Sequence, residues 1–384
     1  MNSELALPRL LHLLVSADRG GCERDSFILC RHLTSFDHFV VVLGTRGPMS
    51  NDWESTGAGV QHLDVMRLSR RERLVALRRA FDLLRPHGVI IWHGMAELPA
   101  LLHALPTNCG PVLIHGGNPA LGFRGFTDLL YLAMERKWPH SHDPIYVCCS
   151  RYVAASFERS RYLRRFRRCV IHNGVEHEKV ITHQPRILSP TDTPLIGMMA
   201  RLDSIKDHPT LLRAMARIVR SFPEACLELA GDGEAMSALQ RLVSDLGLQE
   251  NVRFLGAVAN VYEAIARWDI FAYAATPREG FGNAVAEALM CGLPCVVSDL
   301  PPLREVCGDG RAVAYVPAAD PVTMATAIES LIKDFAARCE LSNSARAWAE
   351  SELSAEVYAK RYAELLESEW KHRDCAPSTG TKWA

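Results

Sequence analysis

The sequence lacks several features that would assign the chain to a specialised class. Its formal net charge is −1, so no excess of one sign points to nucleic acid or to an acidic partner. No apolar run approaches the roughly 20 residues that span a bilayer, and the first residues lack the basic-then-apolar pattern of a secretory signal. We therefore expect a cytoplasmic protein that does not bind nucleic acid.

A cysteine framework is also missing. The chain has 12 cysteines, but none of them forms a Cys-x-x-Cys pair, which argues against a disulfide scaffold or a zinc site. Several cysteines, such as Cys148, Cys149 and Cys295, lie in apolar runs, where a free thiol behaves as a small hydrophobic side chain. We interpret them as reduced structural residues.

Short apolar runs recur along the 384 residues, and helical patterns separate many of them. Continuous apolar runs favour strands covered on both faces, as in parallel sheets. We predict strands at 10–15, 39–43, 89–92, 111–115, 145–149, 169–171, 194–199, 226–230, 252–254, 270–273, 294–298 and 312–316. Predicted helices include 23–33, 70–84, 209–222, 234–246, 284–291 and 321–335. This alternation predicts βαβ units.

The strand and helix pattern restarts near residue 194, after a linker-like stretch with two prolines at 178–192. We therefore predict an α/β protein of two doubly wound domains with a cleft between them, spanning 1–175 and 176–353. A helix at about 354–372 is expected to pack on the first domain, and 373–384 to form a flexible tail. Ligands of such sheets bind beyond the carboxyl ends of the strands.

The segment 279–287 is the strongest candidate binding element. Gly280 and Gly282 let the backbone approach a ligand closely, and Asn283 is suited to cap the following helix, whose free N–H groups attract phosphate or hydroxyl groups. Glu287 lies about 6 Å further along the helix axis than that cap. With Glu279 it forms a pair of carboxylates that can accept hydrogen bonds from one polyhydroxylated ligand. The alternative is a helix with two solvated glutamates.

The segment 279–294 resembles the E-x7-E signature of retaining glycosyltransferases of the GT-B fold, family 4, also called glycosyl transferases group 1. Five further segments resemble other motifs of that family, so the resemblance covers most of the chain. They are 196–208 with its Arg and Lys, the Gly-Asp-Gly turn in 227–233, the base-flanking 252–256, the Asn-Gly-Val turn in 172–175 and the Gly-Gly loop at 20–23.

The resemblance implies a GT-B fold, in which two Rossmann-like domains face a central cleft. It implies transfer of a hexose-type sugar from a nucleoside diphosphate sugar, with UDP favoured, to an acceptor hydroxyl with retention of configuration. The product would be a surface polysaccharide, a glycolipid or a natural-product glycan. The chain has no Asp-x-Asp motif for a divalent ion, so we expect neither a metal nor another cofactor.

The resemblance also implies roles for individual residues. Arg201 and Lys206 would bind the diphosphate and stabilise the leaving group, Glu279 would contact the transferred sugar, and Glu287 would hold the ribose. The remaining donor-binding candidates are Gly20, Gly21, Gly231, Phe254, Leu255, Gly256, Gly280, Phe281, Gly282 and Asn283.

Two histidines end predicted strands of the first domain. His115 resembles the family's cleft histidine and is expected to help position a sugar hydroxyl as a further catalytic candidate. His93 ends another apolar strand and is the weaker candidate. Most of the 15 histidines must be surface or structural residues.

Two arginine-rich stretches, 67–85 and 159–168, read as basic first-domain helices. Such helices can place a protein on the inner face of an anionic membrane, within reach of a lipid-linked acceptor. The alternative, which we favour, is a solvated basic face packed by its apolar stripe.

Three functions remain open from the sequence. The first is the transferase, acting on a glycan, lipid-linked or small-molecule acceptor. The second is a non-hydrolysing nucleotide-sugar epimerase with the same architecture. The third is a catalytically silent nucleotide-sugar-binding subunit, against which the intact set of Arg201, Lys206, Glu279 and Glu287 argues.

Overall fold

The computed structural model describes residues 7–92, 98–120, 126–137, 142–176, 192–258, 260–308 and 312–375, with positions 180, 182, 184–188 and 310. His93, much of the predicted linker and most of the predicted tail lie outside these residues. The chain forms two compact units. The first holds the described residues up to Cys149, Val153–Gly174 and those from Ala355 onward; the second holds Ser150–Tyr152 and Val175–Ser354.

The first unit contains a seven-stranded parallel sheet with strand order β3-β2-β1-β4-β5-β6-β7. Its strands are β1 Arg9–Leu14, β2 Asp37–Val42, β3 Gly59–His62, β4 Gly88–Ile91, β5 Val112–Gly116, β6 Ile145–Cys148 and β7 Arg167–Val170. The helices in this part of the chain are α1 Gly21–His32, α2 Met49–Ser55, α3 Arg70–Leu84, α4 Leu98–Ala104, α5 Phe126–Lys137 and α6 Arg151–Ser156.

The second unit contains a six-stranded parallel sheet with strand order β10-β9-β8-β11-β12-β13. Its strands are β8 Leu195–Met199, β9 Cys226–Ala230, β10 Val252–Gly256, β11 Ile270–Tyr273, β12 Cys295–Ser298 and β13 Val313–Val316. Its helices are α7 His208–Ser221, α8 Met236–Asp245, α9 Val261–Arg267, α10 Asn283–Cys291, α11 Pro301–Cys307, α12 Pro321–Lys333 and α13 Phe335–Glu352.

The last helix, α14 Ala355–Cys375, packs in the core of the first unit. Its buried side chains Tyr358, Tyr362 and Leu366 join one hydrophobic cluster with Leu10 and Leu14 of β1. Burial of such side chains contributes roughly 1.5–3 kcal/mol each. The helix therefore completes the first sheet's hydrophobic layer although it follows the whole second unit in sequence.

The predicted class, two doubly wound parallel sheets, is confirmed. Strand β3 was not predicted, because Gly59–His62 is a short edge strand whose side chains alternate between exposed and half-buried, without a continuous apolar run. The helix expected at 159–168 is wrong. That stretch instead contains two 3₁₀ turns, Phe157–Arg159 and Leu163–Arg165, and the start of β7.

Each sheet has one topological switch point, where the strand order reverses direction. It falls between β1 and β4 in the first sheet and between β8 and β11 in the second. Loops that leave neighbouring strands on the two sides of such a point diverge and leave a crevice between them, where ligands of doubly wound sheets bind. In the second unit these two loops carry Lys206 and Glu279.

Candidate functional site

The loops that follow β8 and β11 are joined by backbone contacts. Lys206 and Ala275 form an isolated antiparallel bridge, and the N–H of Thr276 donates to the carbonyl oxygen of Ile205 at 3.0 Å. These contacts fix the two loops against each other at the switch point of the second sheet. They bring together side chains that are 73 residues apart in sequence.

Lys206, Tyr273 and Glu279 form a buried polar cluster at this point. The Lys206 ammonium donates to Glu279 Oε2 and, at 2.6 Å, to the hydroxyl oxygen of Tyr273. The Tyr273 hydroxyl in turn donates to the same Glu279 oxygen at 2.8 Å. The Lys206 and Glu279 side chains are only 14% and 8% exposed, so the ion pair is largely shielded from water.

The environment of Glu279 keeps its carboxylate ionised. Burial opposes ionisation, but the positive charge of Lys206 and the hydrogen bonds from Lys206, Tyr273 and the Gly280 N–H outweigh burial and lower the pKa of Glu279. The Gly280 N–H donates to Oε1 at 3.0 Å. Both carboxylate oxygens are therefore engaged by donors from the protein, Oε1 by the Gly280 N–H and Oε2 by Lys206 and Tyr273.

Tyr273 is held as a neutral donor. Burial and then the charge of Glu279 raise its pKa well above the ordinary value, and the charges of Asp203 and Glu287 add to the effect. Sequence reasoning did not identify this residue, because a tyrosine that ends an apolar strand resembles any core tyrosine. Only the contact between the two loops reveals its position between a cation and an anion.

Arg201 presents an exposed cation on the same loop as Lys206. Its side chain is 70% exposed and pairs with Asp203, from Nε to Oδ2 at 2.6 Å. Asp203 also accepts from the N–H of Ile205 at 2.8 Å and more weakly from that of Lys206. Despite partial burial, these bonds lower the pKa of Asp203, so this carboxylate shapes the loop and orients Arg201.

The loop that carries Pro277, Glu279 and Gly280 is held in place by hydrogen bonds from two residues that sequence reasoning missed. The Ser150 hydroxyl donates to the Gly280 carbonyl oxygen at 2.7 Å, and the Tyr152 hydroxyl donates to the Pro277 carbonyl oxygen at 2.7 Å. Gly280 and the neighbouring Phe281 are buried. The segment Ser150–Tyr152 therefore positions the loop from a part of the chain about 130 residues earlier.

The helix start differs from the predicted one. Gly282, not Asn283, is the N-cap residue of α10; its φ of 95° is left-handed, and no side chain caps the helix. The left-handed backbone favours glycine here, and a Cβ at Gly282 would also meet Leu303 Cδ2 at 2.8 Å, so that the leucine side chain would have to shift. Asn283 is the first helical residue, which leaves its side chain beside the helix N-terminus rather than capping it.

Glu287 is the central residue of α10 and is 6% exposed. Because its charge acts on the Tyr273 hydroxyl, it belongs to the same neighbourhood as Glu279. The second unit thus brings four predicted residues to one place: Arg201, Lys206, Glu279 and Glu287.

Gly231 and the end of strand β10 form a second part of this site. The N–H of Gly231 donates to the Gly256 carbonyl oxygen at 2.7 Å, and a Cβ at Gly231 would approach the Ala200 carbonyl oxygen to 1.9 Å. The turn after β9 therefore packs directly on the start of the Arg201 loop. Phe254 and Leu255 lie on the edge strand β10 and are half-buried, which leaves them partly open to a ligand.

In the first unit, Gly20 is the N-cap residue of α1 and Gly21 is its first residue. The buried carboxylate of Glu23 lies beside Gly20, so that a Cβ there would be 2.3 Å from Glu23 Oε2. Glu23 Oε1 accepts from the Ser16 hydroxyl at 3.1 Å. The N-terminus of α1 therefore already has a negative side chain close to it.

His115 lies on β5, and its side chain is 2% exposed. Its Nε2 is 3.9 Å from Oδ2 of Asp25, another buried residue, and its ring centroid is 5.1 Å from that of Trp92. The histidine is held between a carboxylate and an indole. Its role toward a sugar hydroxyl stays a prediction.

A second cluster in the first unit brings ligand-type atoms of His12, Cys30 and His38 within 4.8 Å of one another. The Trp92 indole N–H can only donate, and it contacts His12 Nδ1 at 3.1 Å. Neutral His12 then carries its proton on Nε2 and donates to His38 Nδ1 at 2.9 Å. His38 donates from Nε2 to the Leu33 carbonyl oxygen at 2.8 Å.

These hydrogen bonds engage all four ring nitrogens of His12 and His38. Burial lowers the pKa of both histidines and raises that of the Cys30 thiol. A metal ion would need the thiolate and would displace the shared proton, so we interpret the cluster as a structural hydrogen-bond chain. Cys30 and His38 also line a cavity of about 710 Å³. It lies at the amino ends of β1 and β2, away from the edge where doubly wound sheets bind ligands.

The arginine-rich stretches differ from each other. The first forms α3, whose N-terminus has a Ser69–Glu72 capping box and whose surface exposes Val75 and Leu83. In the second, Arg165 pairs with Glu135, and Arg167 pairs with Glu369. Among the described helices, none combines the length and the apolar character needed to cross a membrane.

Comparison with solved structures defines the fold. The chain superimposes on Anabaena HepE in complex with UDP-glucose with a TM-score of 0.79 and 20% identity, over 94% of this chain and 99% of that one. It superimposes on WaaG, a glycosyltransferase involved in lipopolysaccharide biosynthesis, with a TM-score of 0.68 and 14% identity, over 93% and 99%. The fold is that of the GT-B glycosyltransferases.

Comparison of sequences then shows what the second part of the chain is similar to. Residues 193–334 match the family model described as Glycosyl transferases group 1. Over 185 residues it is 30% identical to the GDP-mannose-dependent alpha-(1-6)-phosphatidylinositol monomannoside mannosyltransferase of Mycolicibacterium smegmatis, over 46% of this chain and 48% of the relative.

A further relative is the lipopolysaccharide core biosynthesis glycosyltransferase LpsE of Rhizobium meliloti. It is 29% identical over 189 residues, which are 49% of this chain and 54% of LpsE. The chain thus matches about half the length of these curated relatives.

Proposed function

We propose that the protein is a retaining glycosyltransferase that moves a hexose-type sugar from a nucleoside diphosphate sugar to an acceptor hydroxyl. The observation that carries the proposal is the buried cluster of Lys206, Tyr273 and Glu279 at the switch point of the second sheet. It combines a cation for phosphate with a carboxylate for hydroxyl groups, where doubly wound sheets bind nucleotides. The match of residues 193–334 to a model described as Glycosyl transferases group 1 supports the proposal.

In this proposal Arg201 and Lys206, on the loop after β8, would both bind the diphosphate, each in a different way. Lys206 supplies a compact point charge from a shielded position, and Arg201 supplies a planar fork from an exposed one. Both would stabilise the charge that develops on the leaving phosphate as the glycosidic bond breaks. With two cations in place, the reaction is expected to need no metal, and transfer should persist in EDTA.

The two carboxylates would bind the hydroxyl groups of the donor's two sugars, the transferred hexose and the ribose. Glu279 accepts hydrogen bonds on both oxygens and would contact the transferred hexose, and Glu287 would hold the ribose hydroxyls. The half-buried Phe254, Leu255 and Gly256 would flank the base. UDP-sugars remain the first donors to test, and GDP-mannose is the second, because the names of two relatives print it.

The first unit would present the acceptor, with the Gly20–Gly21 turn and His115 as its candidate residues. The named relatives act on glycolipid or lipopolysaccharide, so a lipid-linked or polysaccharide acceptor is proposed here as well. The basic, partly apolar surface of α3 either is a solvated face, as its sequence favours, or would bring the enzyme to such acceptors. Co-sedimentation with anionic vesicles, compared between the wild type and Leu83→Ser, tests that contact.

The test of the proposal begins with a donor panel followed by thermal shift, because a ligand that binds only the folded state raises its stability. The stabilising donor is then used in a transfer assay. We expect Lys206→Ala and Arg201→Ala each to lower the transfer rate by about 10²-fold or more, as removal of groups that stabilise transition-state charge does, and we expect Glu287→Ala to lower it sharply because the ribose is no longer held. Near-wild-type rates in all three variants would sink the proposal.

The same assay distinguishes the other two functions. A UDP-sugar incubated without acceptor and recovered as its epimer would support the non-hydrolysing epimerase. Binding of the nucleotide without turnover for any acceptor would support the silent binding subunit.

A further inference from the structure

Tyr273 has two hydrogen-bond partners of opposite charge. Its hydroxyl accepts from the Lys206 ammonium at 2.6 Å and donates to Glu279 Oε2 at 2.8 Å, and the residue is 1% exposed. The ammonium also lies 5.2 Å from the centroid of the Tyr273 ring. The tyrosine therefore contacts both members of the ion pair at once.

The ion pair creates a conflict for a donor diphosphate. The diphosphate must compete with Glu279 for Lys206, and if Lys206 turns away, Glu279 loses its counterion while it remains buried. A buried carboxylate without a partner is strongly disfavoured and tends to take up a proton. Two neutral donors stay in place when the lysine leaves: the Gly280 N–H on Oε1 and the Tyr273 hydroxyl on Oε2.

We propose that Tyr273 is a positioning residue that releases Lys206 to the donor diphosphate while its hydroxyl keeps the Glu279 carboxylate ionised and oriented toward the sugar. The inference rests on the proposed function and extends it to a residue outside the predicted site. No bond is made or broken in this step: the lysine exchanges one anionic partner for another, and the tyrosine retains its proton throughout.

The groups that face Glu279 agree with this exchange. The titratable groups that act on Glu279 are Lys206 from the loop after β8 and Tyr273 from β11, and Asp203 and Glu287 act on Tyr273. His208, whose Nδ1 lies 3.3 Å from the Lys206 carbonyl oxygen, has its pKa lowered by burial to about 4 and stays neutral near pH 7. The negative charges of Asp203 and Glu287 raise the pKa of Tyr273 together with Glu279, so the tyrosine keeps its proton when the lysine moves.

The experiment is calorimetric binding of UDP and GDP to the wild type and to Tyr273→Phe between pH 6 and pH 8.5. Buffers of different ionisation enthalpy report the protons taken up on binding. Phe keeps the ring, which stacks on Phe271 with centroids 5.9 Å apart, and removes only the hydroxyl. Tyr262→Phe is the matched control, because its buried hydroxyl donates to the Glu176 carbonyl oxygen elsewhere in the same unit.

We expect Tyr273→Phe to weaken nucleotide binding about tenfold, the size of one lost hydrogen bond to a charged group. Binding should now take up a proton, so affinity should fall as the pH rises, and Glu279→Gln in the Tyr273→Phe background should remove that dependence. Wild-type and Tyr262→Phe proteins should show neither effect. Equal affinity and proton uptake in wild type and Tyr273→Phe would overturn the inference, whereas absence of nucleotide binding in the wild type would overturn the proposed function itself.

Discussion

The two units each bury a polar cluster beside their sheet, and the two clusters are built on opposite principles. In the first unit the chain from Trp92 through His12 and His38 to the Leu33 carbonyl is neutral, and each donor meets one acceptor. In the second unit Lys206 and Glu279 carry full charges and depend on each other. The neutral hydrogen-bond chain has a partner for every donor and acceptor, so it serves only to stabilise the fold. The buried ion pair contains a cation, Lys206, that can exchange Glu279 for another anion.

The largest expected effect is the loss of stability when one member of the charged cluster is removed and its partner is left buried. Lys206→Ala should lower the free energy of unfolding by about 3–5 kcal/mol, because it leaves a buried carboxylate without its counterion. The double variant Lys206→Ala with Glu279→Gln should recover most of that loss, since no charge then remains unpaired. Urea denaturation at pH 7 measures both values.

The control for that experiment is Arg201→Ala. Because its side chain is 70% exposed, its loss should change the free energy of unfolding by no more than about 0.5 kcal/mol. If Arg201→Ala and Lys206→Ala were equally destabilising, the contrast between an exposed cation and a shielded one would be wrong.

A smaller effect is expected in the histidine chain. His38→Leu leaves the His12 N–H without its acceptor, which should destabilise the protein by about 1–3 kcal/mol. His12→Leu with His38→Leu should cost less than the sum of the single variants, because the bond between the two rings is then counted once. Nucleotide binding should not change in any of the three, and a large loss of binding would contradict a purely structural role.

The smallest effect is a difference in acid sensitivity. The pKa values of His12 and His38 are lowered in the folded state, so below their ordinary value of 6.5 the unfolded chain binds more protons and stability falls with falling pH. Glu279, whose pKa is also lowered, contributes stability above 4.5 that is lost as the pH falls further. Denaturation of wild type and the double histidine variant from pH 7.5 to 4 should differ mainly in the upper part of this range.

Much of the architecture was accessible from the sequence, because a strand covered on both faces leaves a continuous apolar run such as Val89–Trp92 or Cys295–Ser298. The loops that follow such strands were accessible for the same reason, and with them Lys206 and Glu279. The edge strand β3 was not, since it is solvated on one face and only four residues long.

The missed site residues have a different cause. Tyr273 and Ser150 act through partners 67 and 130 residues away, and no local pattern records such a contact. The helix cap was placed one position too late, at Asn283 instead of Gly282, because a left-handed glycine can begin a helix without a side-chain acceptor. The arginines of 159–168 suggested a helix, yet those at 165 and 167 are ion-paired, the latter on strand β7.

Gly231 shows how tightly the backbone of the second unit constrains change. Its φ of 139° and the carbonyl oxygen 1.9 Å from where a side chain would start exclude every other residue there, whatever its polarity or charge. Variants at this position in a random library should fail because of the steric clash, whether or not a ligand is present. Under the proposed function, donor selectivity would therefore be altered at side chains around the turn, such as Phe254 and Leu255, and not in the turn itself.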